Sequence, residues 1–78
     1  MKEFLEYVAR SLVDDPDAVS VEMEEGPDEV ALTLAVGEHD MGRVIGRDGR
    51  IANSIRSLLR VIGTRDGKRV ELEIVGDD

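Results

Sequence analysis

The sequence of 78 residues has no cysteine and no tryptophan, and only one phenylalanine, one tyrosine and one histidine. Without cysteine, disulfide bonds and thiolate metal sites are excluded. So few aromatic side chains argue against a surface on which bases stack, as in RRM and OB domains. His39 is the only histidine, and no segment fits a P-loop or a dinucleotide fingerprint. We therefore expect no enzymatic activity, no metal site and no cofactor.

Long apolar runs are also missing. No stretch approaches the roughly 20 apolar residues that a membrane-spanning helix requires. The first residues include an acid, Glu3, and lead into no apolar run, so no signal peptide is predicted. We expect a cytoplasmic protein without membrane contact. The length allows one domain, which we place at residues 1–75, with 76–78 as a short tail.

The net charge of −8 is unevenly distributed along the chain. Residues 1–42 carry two basic residues and twelve acids, a net of −10, and residues 70–78 carry four acids. Residues 43–69 carry eight basic residues and two acids, a net of +6. Because local charge decides which ions a site can hold, the negative total does not exclude an anionic ligand at this central segment.

Hydrophobic periodicity predicts six elements in the order α-β-β-α-α-β. The predicted helices are 2–13, 38–45 and 50–62, and the predicted strands are 19–24, 30–36 and 70–74. The first two strands are expected to be antiparallel, and Gly63 is the expected C-terminal cap of the long helix. One three-stranded sheet covered by three helices, an α+β fold, is the natural packing for this order.

The most specific feature is Val-Ile-Gly-Arg-Asp-Gly-Arg-Ile at residues 44–51. Two glycines three apart, between two helices, permit backbone angles that side chains would forbid and let a ligand approach the peptide groups. The turn leads into a helix N-terminus, which favours anions. Arg47 and Arg50 can each bind phosphate oxygens through two parallel hydrogen bonds. A phosphodiester backbone is the ligand that this geometry suits.

This segment, with an apolar helix on each side, resembles the Gly-x-x-Gly loop of the KH family. A KH domain clamps about four nucleotides of single strand, with the loop on the backbone. The helix and strand that precede the β-α-α-β unit are similar to the type II arrangement, which implies a mixed sheet with parallel second and third strands. The whole chain resembles the small bacterial KhpA family of RNA-binding proteins. That resemblance implies a homodimer and pairing with a larger, KhpB-like KH protein.

Carried onto this sequence, the resemblance assigns the loop residues Gly46, Arg47, Asp48 and Gly49 to clamping of the phosphate backbone. It implies that Val44, Ile45 and Ile51 line an apolar groove whose far wall comes from the strand around Leu32, Leu34 and Val36. Each residue of this strand faces either the groove or the core, and the sequence alone leaves both assignments open. Arg43, Arg56 and Arg60 would extend the positive rim if they lie on the same side. For Asp48 the alternative is that it caps the helix that follows, and we favour this reading because aspartate is a good helix N-cap. For His39-Asp40 we favour a role at the start of a helix over acid–base chemistry.

The sequence therefore predicts a non-enzymatic, single-stranded RNA-binding protein of the RNA chaperone or post-transcriptional regulator type. One KH domain contacts few nucleotides, so two copies are expected to act together. One alternative is a protein-interaction or dimerisation module, with which the apolar helix 50–62 and the small residues at 31–35 are compatible. Another is a single-stranded DNA binder that uses the same groove, since nothing in the sequence senses the 2′-hydroxyl.

Overall fold

The computed structural model describes residues 1–77, which form six main elements. They are α1 (Lys2–Leu12), β1 (Ser20–Glu25), β2 (Glu29–Gly37), α2 (Met41–Ile45), α3 (Arg50–Arg65) and β3 (Arg69–Asp77). Single 3-10 turns occupy Pro16–Ala18, Glu38–Asp40 and Arg47–Gly49. The predicted order α-β-β-α-α-β is confirmed. Within the described residues, no helix is long and apolar enough to span a bilayer.

The sheet has the strand order β1-β2-β3 and is mixed. β1 and β2 are antiparallel, whereas β2 and β3 are parallel from the pair Glu29 and Arg69 to the pair Gly37 and Asp77. The parallel pair confirms the arrangement implied by the type II resemblance. β3 is also longer than predicted, because Gly76 pairs with β2 as well. The expected tail is therefore strand at 76 and 77, and Asp78 lies outside the described residues.

The core lies between the helices and one face of the sheet. Leu32, Leu34 and Val36 are at most 1% exposed, so these three residues of the predicted groove strand all face the core. β2 is the central strand, and its alternate side chains point under the helices. Burying one such side chain contributes about 1.5–3 kcal/mol. The buried apolar residues are Leu5, Ala9, Val19, Val21, Val30, Leu32, Leu34, Val36, Val44, Ala52, Ile55, Leu59, Val70 and Leu72.

Helix α3 continues past Gly63 and ends at Arg65, so the predicted cap at Gly63 is wrong. Gly63 is buried where the helix crosses β3. A Cβ atom there would lie 2.4 Å from Cγ2 of Val70 and 2.8 Å from the carbonyl oxygen of Lys68. The missing side chain therefore permits close packing of helix on strand. The carbonyl oxygen of Gly63 accepts hydrogen bonds from the N–H groups of Asp66 and Lys68, which turn the chain into β3.

The face of the sheet opposite the core, termed the outer sheet face, is acidic. Its cross-strand rows are Glu24, Ala31 and Glu71, and then Glu22, Thr33 and Glu73. All four glutamates are exposed. Like charges directly opposite each other destabilise a sheet. Because the small uncharged residues of β2 lie between them, the glutamates of β1 and those of β3 are two strand spacings apart, about 10 Å.

Candidate nucleic-acid interface

The Gly-x-x-Gly turn at residues 46–49 uses backbone conformations that glycine permits. Gly46 has φ 77° and ψ 175°, and Gly49 has φ 75° and ψ 13°. The N–H of Gly49 donates to the carbonyl oxygen of Gly46 at 3.2 Å, which closes the turn. A Cβ atom on Gly46 would lie 2.6 Å from Cγ1 of Ile51. The turn therefore lies directly against the first residues of α3, as a side chain at position 46 would not allow.

Asp48 does not cap α3, so the favoured prediction for this residue is wrong. The N-cap is Gly49, and no side chain donates to or accepts from the cap position. Asp48 precedes this N-cap residue and has a left-handed backbone conformation, with φ 57° and ψ 23°. Aspartate tolerates this conformation better than most residues. No side chain caps α3, and the N–H of Arg50 donates to the carbonyl oxygen of Arg47 within the turn. The positive end of the α3 dipole still favours an anion here.

Arg47 and Arg50 border this helix N-terminus, and both are exposed. Among residues 1–77, neither guanidinium has a hydrogen-bond or ion-pair partner. Each keeps all five of its N–H donors available. The positive end of the α3 dipole adds to their field. The turn therefore presents two free cations at the N-terminus of α3.

Arg43 is held differently from Arg47 and Arg50. Its Nη2 lies 2.9 Å from Oδ2 of Asp14, and its Nε lies 3.1 Å from Oδ1 of Asp40. Two carboxylates therefore satisfy the guanidinium. Although half of the side chain is exposed, Arg43 joins α2 to the segment after α1 and contributes little free positive charge to the predicted rim.

Asp40 is the carboxylate at the centre of this network, and it is fully buried. It accepts hydrogen bonds from the backbone N–H groups of Asp14 at 3.1 Å and Asp15 at 3.2 Å. Nε2 of His39 lies 3.5 Å away. Burial alone raises the pKa of Asp40, but the two N–H donors, His39 and Arg43 outweigh it and hold the pKa below its ordinary value. Asp40 therefore fixes the start of α2, six positions before the first residue of the turn.

The sequence contains no signal for this arrangement. The helix-start role favoured for His39-Asp40 is close to the observed place, since Asp40 is the N-cap residue of α2. Its side chain, however, makes no capping hydrogen bond and instead bonds residues 25 and 26 positions earlier. Only the folded backbone brings these groups together. Within residues 1–77, no group of three or more histidine and carboxylate side chains is arranged to hold a metal ion.

The three apolar site residues have different surroundings. Val44 is completely buried in the core, so it supports the turn from below and has no surface to offer a ligand. Ile45 and Ile51 are partly buried at the edge of the core. They border the turn on either side, and each leaves part of its side chain exposed.

Arg56 lies on the flank of α3 that faces β3, an edge strand of the sheet. Nη2 of Arg56 donates to the carbonyl oxygen of Leu72 at 3.4 Å. The structure therefore places Arg56 between α3 and β3, a position that its helical spacing alone did not settle. Arg60, one turn further along α3, is exposed.

A glycine turn between two helices, on a mixed three-stranded sheet preceded by a helix, defines a type II KH domain. The family model described as KhpA/KhpB, KH domain, matches residues 2–74. The RNA-binding protein KhpA of Clostridium acetobutylicum is 45% identical over 75 residues, which cover 96% of this chain and 100% of that protein. KhpA of Chlamydia trachomatis is 40% identical and the match covers 96% of both chains. The chain belongs to the KhpA/KhpB KH-domain family.

A solved structure shares the fold. It is the crystal structure of Era in complex with MgGDPNP and nucleotides 1506–1542 of 16S ribosomal RNA. The match has a TM-score of 0.56 and 23% identity, and it covers 97% of this chain but 30% of that one. At this identity the likeness establishes the fold alone.

Proposed function

We propose that this protein binds single-stranded RNA by holding the phosphate backbone on the turn at 46–49 and the N-terminus of α3. The observation that carries the proposal is the pair of arginines, Arg47 and Arg50, which have no partner within residues 1–77 and lie at the N-terminus of α3. Relatives with 40–45% identity are named RNA-binding proteins, which supports RNA as the polymer. Gly46 and Gly49 let the strand approach the peptide groups, and Asp48 lies between them at the tip.

The apolar part of the proposed groove is smaller than the sequence predicted. Ile45 and Ile51 remain available to contact bases or sugars beside the turn, whereas Val44 acts only through the core. The protein is proposed to act without catalysis, as an RNA chaperone or post-transcriptional regulator in the cytoplasm.

Two copies are proposed to act together. Leu58 and Val61 are 51% and 56% exposed, although both are large and apolar. They lie three residues apart on α3, so they share one face of the helix. Burying this patch against a second copy would place two turns in one particle and raise the affinity for a single RNA strand through effective concentration. A larger, KhpB-like KH protein is the alternative partner for the same patch.

The patch also favours a second candidate function, a protein-interaction module without a role in RNA binding. Replacing Arg47 by aspartate separates the two. We expect RNA affinity to fall at least about tenfold, since each hydrogen bond to a charged group contributes about 1.5–3 kcal/mol. The matched control is Arg65→Asp, an equal charge change at an exposed, unpartnered arginine at the other end of α3.

Fluorescence anisotropy with an eight-nucleotide RNA and its DNA counterpart is the measurement. For the unmodified protein, log affinity should fall with log salt at a slope of about −1.5 to −3, corresponding to two to four phosphate contacts. Equal loss in both arginine variants, or a flat salt response, would overturn the proposal. Equal binding of the DNA counterpart would make the site a general single-strand clamp. Light scattering should show that Arg47→Asp keeps the oligomeric state and that Leu58→Glu yields monomers.

A further inference from the structure

Arg43, three residues before the turn, is held by two carboxylates in very different surroundings. Its Nε lies 3.1 Å from Oδ1 of Asp40, and its Nη2 lies 2.9 Å from Oδ2 of Asp14. The side chain of Asp40 is fully buried, whereas that of Asp14 is 66% exposed. The guanidinium therefore has one partner in the protein interior and one partner in solvent.

The contact with Asp40 orients the guanidinium. The carboxylate of Asp40 is itself held by the backbone N–H groups of Asp14 and Asp15, at 3.1 Å and 3.2 Å. Its ion pair with Arg43 uses Nε and leaves the N–H donors of both Nη atoms for other acceptors. About half of the Arg43 side chain is exposed, so an acceptor from solvent can reach these donors.

The contact with Asp14 is the one that a ligand can replace. Exposed ion pairs contribute little to stability, because water competes for both partners. Within residues 1–77, Asp14 forms no ion pair other than the one with Arg43. A guanidinium binds carboxylate and phosphate oxygens through the same kind of charge-assisted hydrogen bond. Asp14 therefore fills a place that a phosphate group also fits.

Helix α2 connects Arg43 directly to the turn. Three helical residues place Arg43 about 4.5 Å from Gly46 along the axis of α2. Side chains lean towards the N-terminus of their helix, so the guanidinium lies further from the turn than its own backbone does. A strand that is held at Arg47 and Arg50 and continues along α2 brings a neighbouring phosphate to Arg43.

We propose that Arg43 is a further phosphate-binding residue and that Asp14 occupies the phosphate position in the free protein. The inference rests on the proposed function and adds a regulatory contact to it. RNA must displace Asp14 before Arg43 can bind the strand. A strand already held at the turn does this readily, because its next phosphate is at a high effective concentration. Asp14 is thus a competitor for RNA that the chain itself supplies.

The test compares Asp14→Asn with Asp17→Asn by fluorescence anisotropy, using the eight-nucleotide RNA. Both changes remove an exposed acid from the segment between α1 and β1, but Asp17 forms no ion pair within residues 1–77. Asp14→Asn should tighten RNA binding about two- to fivefold at 50 mM salt, since no exposed pair has to open. Asp17→Asn should change affinity by less than about twofold, because it alters only the overall field.

The replacement Arg43→Gln, alone and combined with Asp14→Asn, completes the comparison. Alone, it should weaken RNA binding and reduce the magnitude of the slope of log affinity against log salt by about 0.7, as the loss of one phosphate contact requires. In the double variant, Asp14→Asn should bring no gain, because the residue that it releases is gone. A purely structural role of Arg43 would leave the salt slope unchanged.

Three results would overturn the inference. The first is equal affinity of Asp14→Asn and Asp17→Asn while Arg47→Asp still loses RNA binding, which would leave the proposed function intact. The second is an unchanged salt slope in Arg43→Gln. The third is a gain from Asp14→Asn that persists with glutamine at position 43, which would assign the gain to the overall field. RNA binding by Arg47→Asp at full affinity would overturn the proposed function itself. Thermal unfolding establishes that the variants compared are folded.

Discussion

The turn at 46–49 and the outer sheet face carry opposite charges, and within residues 1–77 neither charge is neutralised by ion pairs. Arg47 and Arg50 beside the turn have no acidic partner among the described residues. On the outer sheet face, the four glutamates of the rows through Ala31 and Thr33 are likewise exposed, and none of them forms an ion pair within residues 1–77. A polyanion therefore meets an attractive side and a repulsive side on one small domain. The charge of the whole chain describes neither.

The basic segment at 43–69 also presents less unpaired positive charge than its composition indicates. Lys68 pairs with Glu25, and Arg69 lies 3.8 Å from Glu29. The hydrogen bond from Lys68 holds the pKa of Glu25 below its ordinary value. Arg43 is paired as well, as described above. The acids of β1 and β2 therefore neutralise the far end of the segment, and the free arginines lie on the turn and α3.

The largest expected effect on this comparison comes from Gly46→Ala. The conformation at Gly46 is essentially restricted to glycine and costs another residue about 1–3 kcal/mol. In addition, the new Cβ would lie 2.6 Å from Ile51. We expect the turn to move and RNA affinity to fall at least about tenfold, because two charge-assisted contacts are misplaced together.

The matched control for this change is Gly67→Ala. Gly67 also has a positive φ, of 70°, but a Cβ there has no atom within 4 Å. It should lower the free energy of unfolding and leave RNA affinity unchanged in anisotropy measurements. If both variants lose the same RNA affinity, the loss follows from lower overall stability, and the shape of the turn does not determine RNA binding.

A smaller effect is expected from Asp40→Asn, which tests whether the charge of Asp40 holds α2, the helix before the turn, in place. The carboxylate of Asp40 accepts hydrogen bonds from two backbone N–H groups. The asparagine amide would direct its own N–H₂ group at one of these donors, so the melting temperature should fall at pH 7. Because the pKa of Asp40 is lowered in the folded state, its charge stabilises the fold above the ordinary pKa of 3.8, and this contribution is lost as pH falls below that value.

Thermal unfolding of both proteins between pH 7 and pH 2.5 measures this difference. The gap in melting temperature should be constant at neutral pH and narrow only in the acid range. A gap that is independent of pH would mean that the size and shape of the side chain, not its charge, hold α2 in place.

The smallest expected effect comes from cancelling the net charge of the four glutamates on the outer sheet face with Glu71→Lys and Glu73→Lys together. Removing repulsion should tighten RNA binding about two- to fivefold at 50 mM salt, since the field of the whole protein acts over a distance. The gain should vanish at high salt, because the screening length falls to about 3 Å at 1 M. A gain that persists there would reveal direct RNA contact with the sheet and would break the contrast between the two sides.

Local patterns predicted most of the fold. Alternation along β2 and helical spacing along α3 were sufficient because each element buries one face. The end of α3 was misplaced, since a glycine that caps a helix and a glycine that admits Val70 look alike in sequence. The site was predicted where it is contiguous, at 46–49. The partners of Asp40 and the place of Arg56 depend on contacts between distant segments, which no local pattern contains.

The parallel pairing of β2 with β3 has a consequence for how the domain folds. Glu29 pairs with Arg69, 40 positions later, and the intervening chain must cross back over the sheet through α2, the turn and α3. Closing such a long connection costs entropy before any contact compensates for it, so pairings of this kind slow folding. We expect Val70→Ala to slow refolding more than Ala9→Gly does, and equal rates would contradict this order of events. The RNA-binding turn would then acquire its shape only when the last strand docks, and a bound strand of RNA would slow the release of β3.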